Sequence, residues 1–316
     1  MEKKIKLLAV CGPTASGKTA LGVALARAYS GEVISCDSMQ IYRGMEIGTA
    51  KPTKEEMGEI PHHLLDFCDP ETTFSVVDYT TRAAECIEDI TARGKRPILV
   101  GGTGLYARSL LRSVPFTENS RSDEVRAALQ KEFEEKGIGE IYARLQAFDP
   151  EGAAEIHPNN TKRVIRALEY CLVAGEPFSV QAKASREVES DYDYKMICLG
   201  FQNRDNLYAR INLRVDQMIQ NGLLDEAKQY YEQYGLRGKT SVQAIGYKEL
   251  FPYFDGQCTL EEAVENIKKE TRRYAKRQLT WFRREENTVW LYVDAYDSAE
   301  SLIRAAEEIA ADHFEK

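Results

Sequence analysis

The chain has 316 residues, 43% of them apolar, and carries 42 Lys and Arg against 50 Asp and Glu for a net charge of −8. That is enough for one large α/β domain with a smaller insert or second lobe, and the acidity, taken globally, argues against a nucleic-acid binder. No apolar run approaches the about 18 residues that span a bilayer, and the start MEKKIKLLAV is too short in its apolar part for a signal peptide, so a cytoplasmic protein without membrane contact is expected.

Ile5 to Val10 is an apolar run that reads as a strand, and Ala20 to Tyr29 keeps a helical period. Between them, Gly12-Pro13-Thr14-Ala15-Ser16-Gly17-Lys18-Thr19 matches the phosphate-binding pattern GxxxxGK followed by Ser or Thr, residue for residue. Joining a strand to a helix, such a loop turns its backbone N–H groups and the helix N-terminus onto an anion. Lys18 reaches the same phosphates as a point charge, and the Thr19 hydroxyl can ligate Mg²⁺. The expected ligand carries a di- or triphosphate, but the pattern leaves open which ester is bound and which group departs.

Glu32 to Cys36 reads as a second strand ending in Asp37-Ser38, with Met39 to Gly44 leaving as a loop. Arg96 to Val100 reads as another, ending in Gly101-Gly102-Thr103-Gly104 before a helix from Leu105. Strands alternating with helices predict an α/β fold, a P-loop-type parallel sheet core flanked by helices. Its ligand would lie beyond the carboxyl ends of the strands, beside Lys18, Asp37 and Thr103. A carboxylate placed like Asp37 can hold Mg²⁺ or accept a proton; on position alone a solvated turn residue is the alternative. A strand ending in GGTG, where many P-loop NTPases have a metal-binding Asp, argues against a hydrolytic NTPase.

From about Ser120 to Arg186 strand signals vanish, and Glu124 to Lys136, Gly139 to Phe148 and Lys162 to Ala174 read as helices. Gly175-Glu176-Pro177-Phe178 marks a break, the polar stretch to Asp193 reads as loop, and Lys195 to Phe201 reads as the last core strand. The expected organisation is 1–119 as the first part of the core, 120–190 as an all-helical insertion domain, and 191–316 as core completion and C-terminal helices.

In the final third, Leu207, Ile211, Val215 and Met218 form one helical stripe, and Leu260, Val264, Ile267, Thr271, Tyr274, Gln278 and Phe282 form another. Arg210 and Arg214 lie one turn apart, so either can neutralise a leaving diphosphate or pair at the surface with Asp205 or Asp216. Lys268 to Arg284 holds eight basic residues and one acid, Glu270, interleaved with Tyr274, Trp281 and Phe282. That mixture suits phosphates with stackable bases, or else a solvated helix face. The seven cysteines never form a C-x-x-C pair and the four histidines supply no cluster, so neither a disulfide framework nor a zinc site is expected.

GPTASGKT, DSMQIYRGMEIGTAKP from Asp37, PHHLLD from Pro61, GGTGLY from Gly101, KRVIRALE from Lys162, IGYKE from Ile245 and KRQLTWFR from Lys276 follow one another along nearly the whole chain. Together they resemble the tRNA dimethylallyltransferases, the bacterial tRNA isopentenyltransferase family. The resemblance implies a Mg²⁺-dependent prenyltransferase, and a monomer is expected. It would move the dimethylallyl group of dimethylallyl diphosphate to N6 of the adenosine just 3′ of the anticodon, in tRNAs reading codons that begin with U. By the same resemblance Gly12, Thr14, Ala15, Ser16, Gly17, Lys18 and Thr19 cradle the diphosphate, with Mg²⁺ at Thr19. Asp37 accepts the N6 proton, and Thr103 and Arg214 hold the departing diphosphate. tRNA contacts are implied at Asp37, Ser38, Met39, Gln40, Arg126, Lys162, Arg163, Arg166, Gln243, Gly246, Tyr247, Lys248, Lys276, Arg277, Gln278, Trp281 and Arg283. The helical insertion would clamp the RNA while the base leaves its stack. Gln243 departs from relatives that can carry arginine there.

Two rival readings share the loop. A transferase acting on free AMP, ADP or ATP would need no tRNA clamp, and the insert and the basic C-terminal helix discriminate against it. A P-loop nucleotide kinase would use ATP, and the GGTGLY strand end and the long C-terminal helix argue against that.

Overall fold

The computed structural model describes residues 4–113 and 122–315. They divide into two compact units, one formed by residues up to Leu111 together with those from Asp191 onward, the other lying between Arg112 and Ser190. The expected junction at 119/120 falls outside the described residues.

The first unit begins with β1 (Ile5–Cys11), α1 (Lys18–Ala28), β2 (Gly31–Cys36), α2 (Lys54–Met57), β3 (His62–His63), α3 (Val76–Ala92), β4 (Arg96–Gly101) and α4 (Gly104–Leu111). The second contains α5 (Asp123–Lys136), α6 (Ile138–Phe148), α7 (Pro150–Ala154), α8 (Thr161–Ala174) and α9 (Phe178–Glu187). The chain then completes the first unit with β5 (Tyr192–Gly200), α10 (Arg204–Gln220), α11 (Leu223–Gln233), α12 (Phe251–Phe254), α13 (Leu260–Phe282), β6 (Thr288–Tyr292) and α14 (Ala299–Glu315).

All six strands are parallel, in the order β3-β2-β4-β1-β5-β6. The apolar runs of β1, β2, β4 and β5 are buried on both faces, as a helix-covered parallel sheet requires. Leu7, Ala9, Cys11, Ile34, Leu99, Met196 and Cys198 face the core shared with α3, α4 and α13. Leu8, Val10, Val33, Ile98, Ile197 and Leu199 face the core beneath α1 and α14. Gly101 ends β4 where a Cβ would meet the Cys36 carbonyl oxygen at 2.1 Å, so only glycine lets the two strand ends approach this closely.

Two expectations need correction. The stretch after Phe178 is a helix, not a loop. Pro177 starts it, Phe178 packs edge-on against Tyr170, and the Ser179 N–H and hydroxyl donate to Asp149 at 2.8 and 2.6 Å. The strand at 192–200 is also not the last, because β6 pairs beside it with Leu291 opposite Leu199. The second unit closes on its own core, with Leu129, Ile141, Leu145, Val164 and Leu168 buried.

Candidate active site

The loop from Gly12 to Gly17 leaves β1 tightly. Gly12 has φ +142 and lies so near β5 that a Cβ would stand 2.7 Å from the Leu199 carbonyl oxygen. Gly17, at φ +94, opens α1, and Ala15 between them also adopts a left-handed backbone, φ 61, a strain that non-glycine residues carry mostly at functional turns. The Ser16 hydroxyl and the Lys18 ammonium fold back to donate to the Pro13 carbonyl at 2.8 and 2.6 Å, and Arg210 Nε donates to the Ala15 carbonyl at 2.9 Å. Arg210 therefore braces the loop from α10 instead of pairing at the surface, and Asp216 takes Lys268 at 2.8 Å.

Asp37 follows β2, and its Oδ1 accepts the Met39 N–H at 2.9 Å and the Gln40 N–H at 3.4 Å, closing a turn that aims the residues after it. The Thr103 Oγ1 accepts the Ser38 N–H at 3.0 Å, so the loops after β2 and β4 are joined. The Tyr274 phenol on α13 lies beside the Thr103 side chain, and burial, with Asp37 near it, pushes it up.

Asp37, Ser38, Met39, Gln40 and Tyr274 face a cavity of about 390 Å³ beyond the carboxyl ends of the strands, a volume suited to a small-molecule moiety, whereas Thr103 is not among its lining residues and reaches it through Ser38. Thr14, Ala15, Lys18 and Thr19 line one side. Asp37, Ser38, Met39 and Gln40 line another, and Arg214, Tyr274, Arg277 and Gln278 come in from α10 and α13. Gln243, Gly246 and Lys248 complete the wall. Burial pushes the Asp37 carboxyl above its ordinary value, against the opposing pull of Met39's N–H and Lys18. Burial, then the like charge of Arg214, pull Lys18 down to about 8. Burial also lowers Arg214, which Glu56 and Asp37 oppose. A half-buried carboxylate facing two cations beside a phosphate-type loop can take a proton while positive charge receives an anionic leaving group.

Three expected tRNA contacts, Tyr247, Trp281 and Gln278, and the neighbouring Phe282 are engaged within the protein. Tyr247 is fully buried and its hydroxyl donates to Glu226 at 2.6 Å, which makes it a strut of the core, not an exposed RNA contact. Trp281 lies against the first turn of α4, where a Cβ at Gly104 would meet its ring at 2.2 Å, and the Arg108 guanidinium covers it 4.9 Å from the centroid. Arg108 thus occupies a face of the ring that a stacked base would use. Phe282, read with it as a stacking aromatic, is wholly buried. Gln278, 5% exposed, spends its amide within the protein.

Lys276, Arg277 and Arg283 are exposed on the basic helix. In the second unit Lys162 and Arg163 are exposed at the start of α8, whereas Arg126 and Arg166 both reach the buried Glu169, at 2.7 and 3.1 Å. Sequence reasoning passed over Gly48, Thr49, Ala50 and His62 as cavity walls. The first three lie within the quoted block that starts at Asp37, and His62 lies within PHHLLD; these blocks were their only signals.

Fold and site together define a P-loop-type α/β protein with a cavity of mixed polar and apolar lining at its strand ends. A family model described as IPP transferase matches residues 40–285. A tRNA dimethylallyltransferase of Halalkalibacterium halodurans is 47% identical over 99% of this chain and 99% of its own length. The crystal structure of a full-length tRNA isopentenylpyrophosphate transferase from Bacillus halodurans is similar at a TM-score of 0.74 and 46% identity, covering 99% of this chain and 98% of that one. A eukaryotic dimethylallyltransferase solved acting on tRNA is similar at 0.82 and 29% identity, over 98% of this chain and 80% of that one. The chain belongs to the IPP transferase family.

Proposed function

We propose that this protein transfers the dimethylallyl group from dimethylallyl diphosphate to N6 of the adenosine 3′ of the anticodon in tRNAs reading codons that begin with U. The observation that carries the reading is the shared cavity: Asp37 lies in one wall, Lys18 and Thr19 in another, and Arg214 closes on both. N6 of adenine is a weak nucleophile, its lone pair delocalised into the ring, so proton removal and leaving-group stabilisation must act together. N6 attacks C1 of the dimethylallyl group, the C1–O bond breaks, its electron pair leaves with the diphosphate, and the N6 proton passes to the Asp37 carboxylate. Thr14 to Thr19, with Thr103 and Arg214, receive the diphosphate.

The Thr19 hydroxyl is a hard oxygen donor in the cavity, which fits Mg²⁺ held by one protein oxygen together with substrate phosphates. Bound there, the ion would add positive charge at the diphosphate. The exposed cations of α13 and α8 suit an RNA backbone. The described cysteines are free, which suits the cytoplasm, and no described helix is long and apolar enough to cross a membrane. One chain supplies every group the reaction uses, so the monomer is the active species in this reading.

The test incubates the protein with dimethylallyl diphosphate, Mg²⁺ and unmodified tRNA, with AMP and ATP as parallel acceptors, followed by nucleoside mass measurement. A dimethylallyl adduct on tRNA adenosine alone supports the reading. An adduct on free nucleotides would replace it with an adenylate transferase, and ATP consumption without an adduct would replace it with a kinase.

A further inference from the structure

Glu226 stands in the first turn of α11, behind the cavity wall, yet its carboxylate gathers four donors. Oε2 accepts the backbone N–H groups of Glu46 and Ile47, each at 2.9 Å. Oε1 accepts the Gly48 N–H at 2.9 Å and the Tyr247 hydroxyl at 2.6 Å. Three consecutive amides turned onto one carboxylate make the 46–48 backbone an anion-binding concavity that the protein fills itself. The same segment lies on the Tyr247 ring, where a Cβ at Gly48 would come within 2.4 Å of Cε2.

The held segment continues directly into the cavity wall as Gly48, Thr49 and Ala50. Its Thr49 and Ala50 carbonyls accept from Gln40 Nε2 at 3.3 and 3.0 Å, and the Gln40 N–H donates to Asp37. A hydrogen-bonded path therefore runs from Glu226 through the 46–50 backbone and Gln40 to the Asp37 turn.

We propose that Glu226 is a positioning residue for the transfer site, clamping the 46–50 segment by its backbone and thereby setting where the Asp37 loop presents its carboxylate. The catalytic part rests on the transferase reading; the clamp does not. Glu226→Gln keeps the side chain's size but sets an amide NH₂ against backbone N–H donors. It is expected to lower kcat at saturating substrates by about tenfold or more, since ångström misplacement of a reacting group costs on that order. Affinity for inorganic diphosphate should stay within about twofold of wild type, because no hydrogen bond among the described residues joins the phosphate loop to the clamp. Amide hydrogen exchange at 46–48 should accelerate about tenfold.

Tyr247→Phe removes one of the four donors and should move kcat and exchange the same way by less. Gly48→Ala should reproduce the kcat loss through the Tyr247 contact, and these two variants carry the test if Glu226→Gln does not fold. Wild-type kcat in the folded variants, or unchanged exchange at 46–48, overturns the proposal. A fall in melting temperature with kcat intact reduces Glu226 to a structural role and overturns it too. If the wild-type protein transfers no dimethylallyl group, the transferase reading and the catalytic role fall together, while the exchange result still decides the clamp.

Discussion

Gln278 accepts the Thr14 N–H at 2.9 Å and donates its own amide to the Gly102 carbonyl at 2.9 Å, so one side chain of α13 ties the phosphate-type loop to the loop after β4. Gln278→Leu preserves much of the volume but strips both partners of their bond, which costs about 1–3 kcal/mol for a buried polar group left unpaired. Thermal melts should show a drop of a few degrees, and calorimetric titration with inorganic diphosphate should show weaker binding. Unchanged values in both would make Gln278 incidental to the loop.

The pH dependence of transfer follows from two groups. Asp37 works as a base only when ionised, and burial raises it, so activity should fall with decreasing pH sooner than for an ordinary carboxylate. Lys18 loses its charge as pH rises through about 8, weakening its hold on the diphosphate. The profile of kcat/KM should therefore be bell-shaped. Lys18→Arg, whose guanidinium does not titrate in this range, should carry the alkaline limb upward in pH even if its maximum is lower. An alkaline limb that stays in place would assign it to another group.

Asp37→Asn removes the base but leaves most of the side chain's shape. Turnover should be abolished, while tRNA binding, followed by filter retention or fluorescence anisotropy, stays close to wild type. Equal losses in both would contradict a role as the base.

Away from the cavity, Glu32 is buried in the sheet and accepts from Arg93 Nη2 at 2.8 Å, Lys95 at 2.7 Å and His63 at 2.7 Å. Arg93 in particular holds its carboxyl well below the ordinary 4.5. A depressed folded value stabilises the protein fully above the unfolded value, and that contribution is lost as pH falls toward the folded one. Removing the carboxylate's charge weakens its hold on Arg93 and Lys95 while leaving a buried polar group, so Glu32→Gln destabilises the fold. The melting-temperature gap between wild type and Glu32→Gln should be wide at neutral pH and narrow near about pH 3. A gap that does not change with pH would exclude the charge as its cause.

Features written in neighbouring residues were legible from the chain alone. The Gly12–Thr19 pattern, the strand ends at Asp37 and Gly101, and the 3.6-residue period that runs the length of α13 from Leu260 to Phe282 all depend on residues within a few turns of one another. Two-residue β3 carries no period at all, and five-residue β6 at the sheet edge carries a weak one, so both exist through pairing with β2 and β5. Periodicity marks an apolar stripe but not what it meets. Folding turned Trp281 onto Gly104 and sank Tyr247 beneath Gly48, and neither contact has a local signature. The link from Gln278 to Thr14 spans 264 positions, and the one from Glu226 to Gly48 spans 178. Such bonds form only when distant elements pack, because their energy depends on burial and on geometry that no short stretch of chain contains.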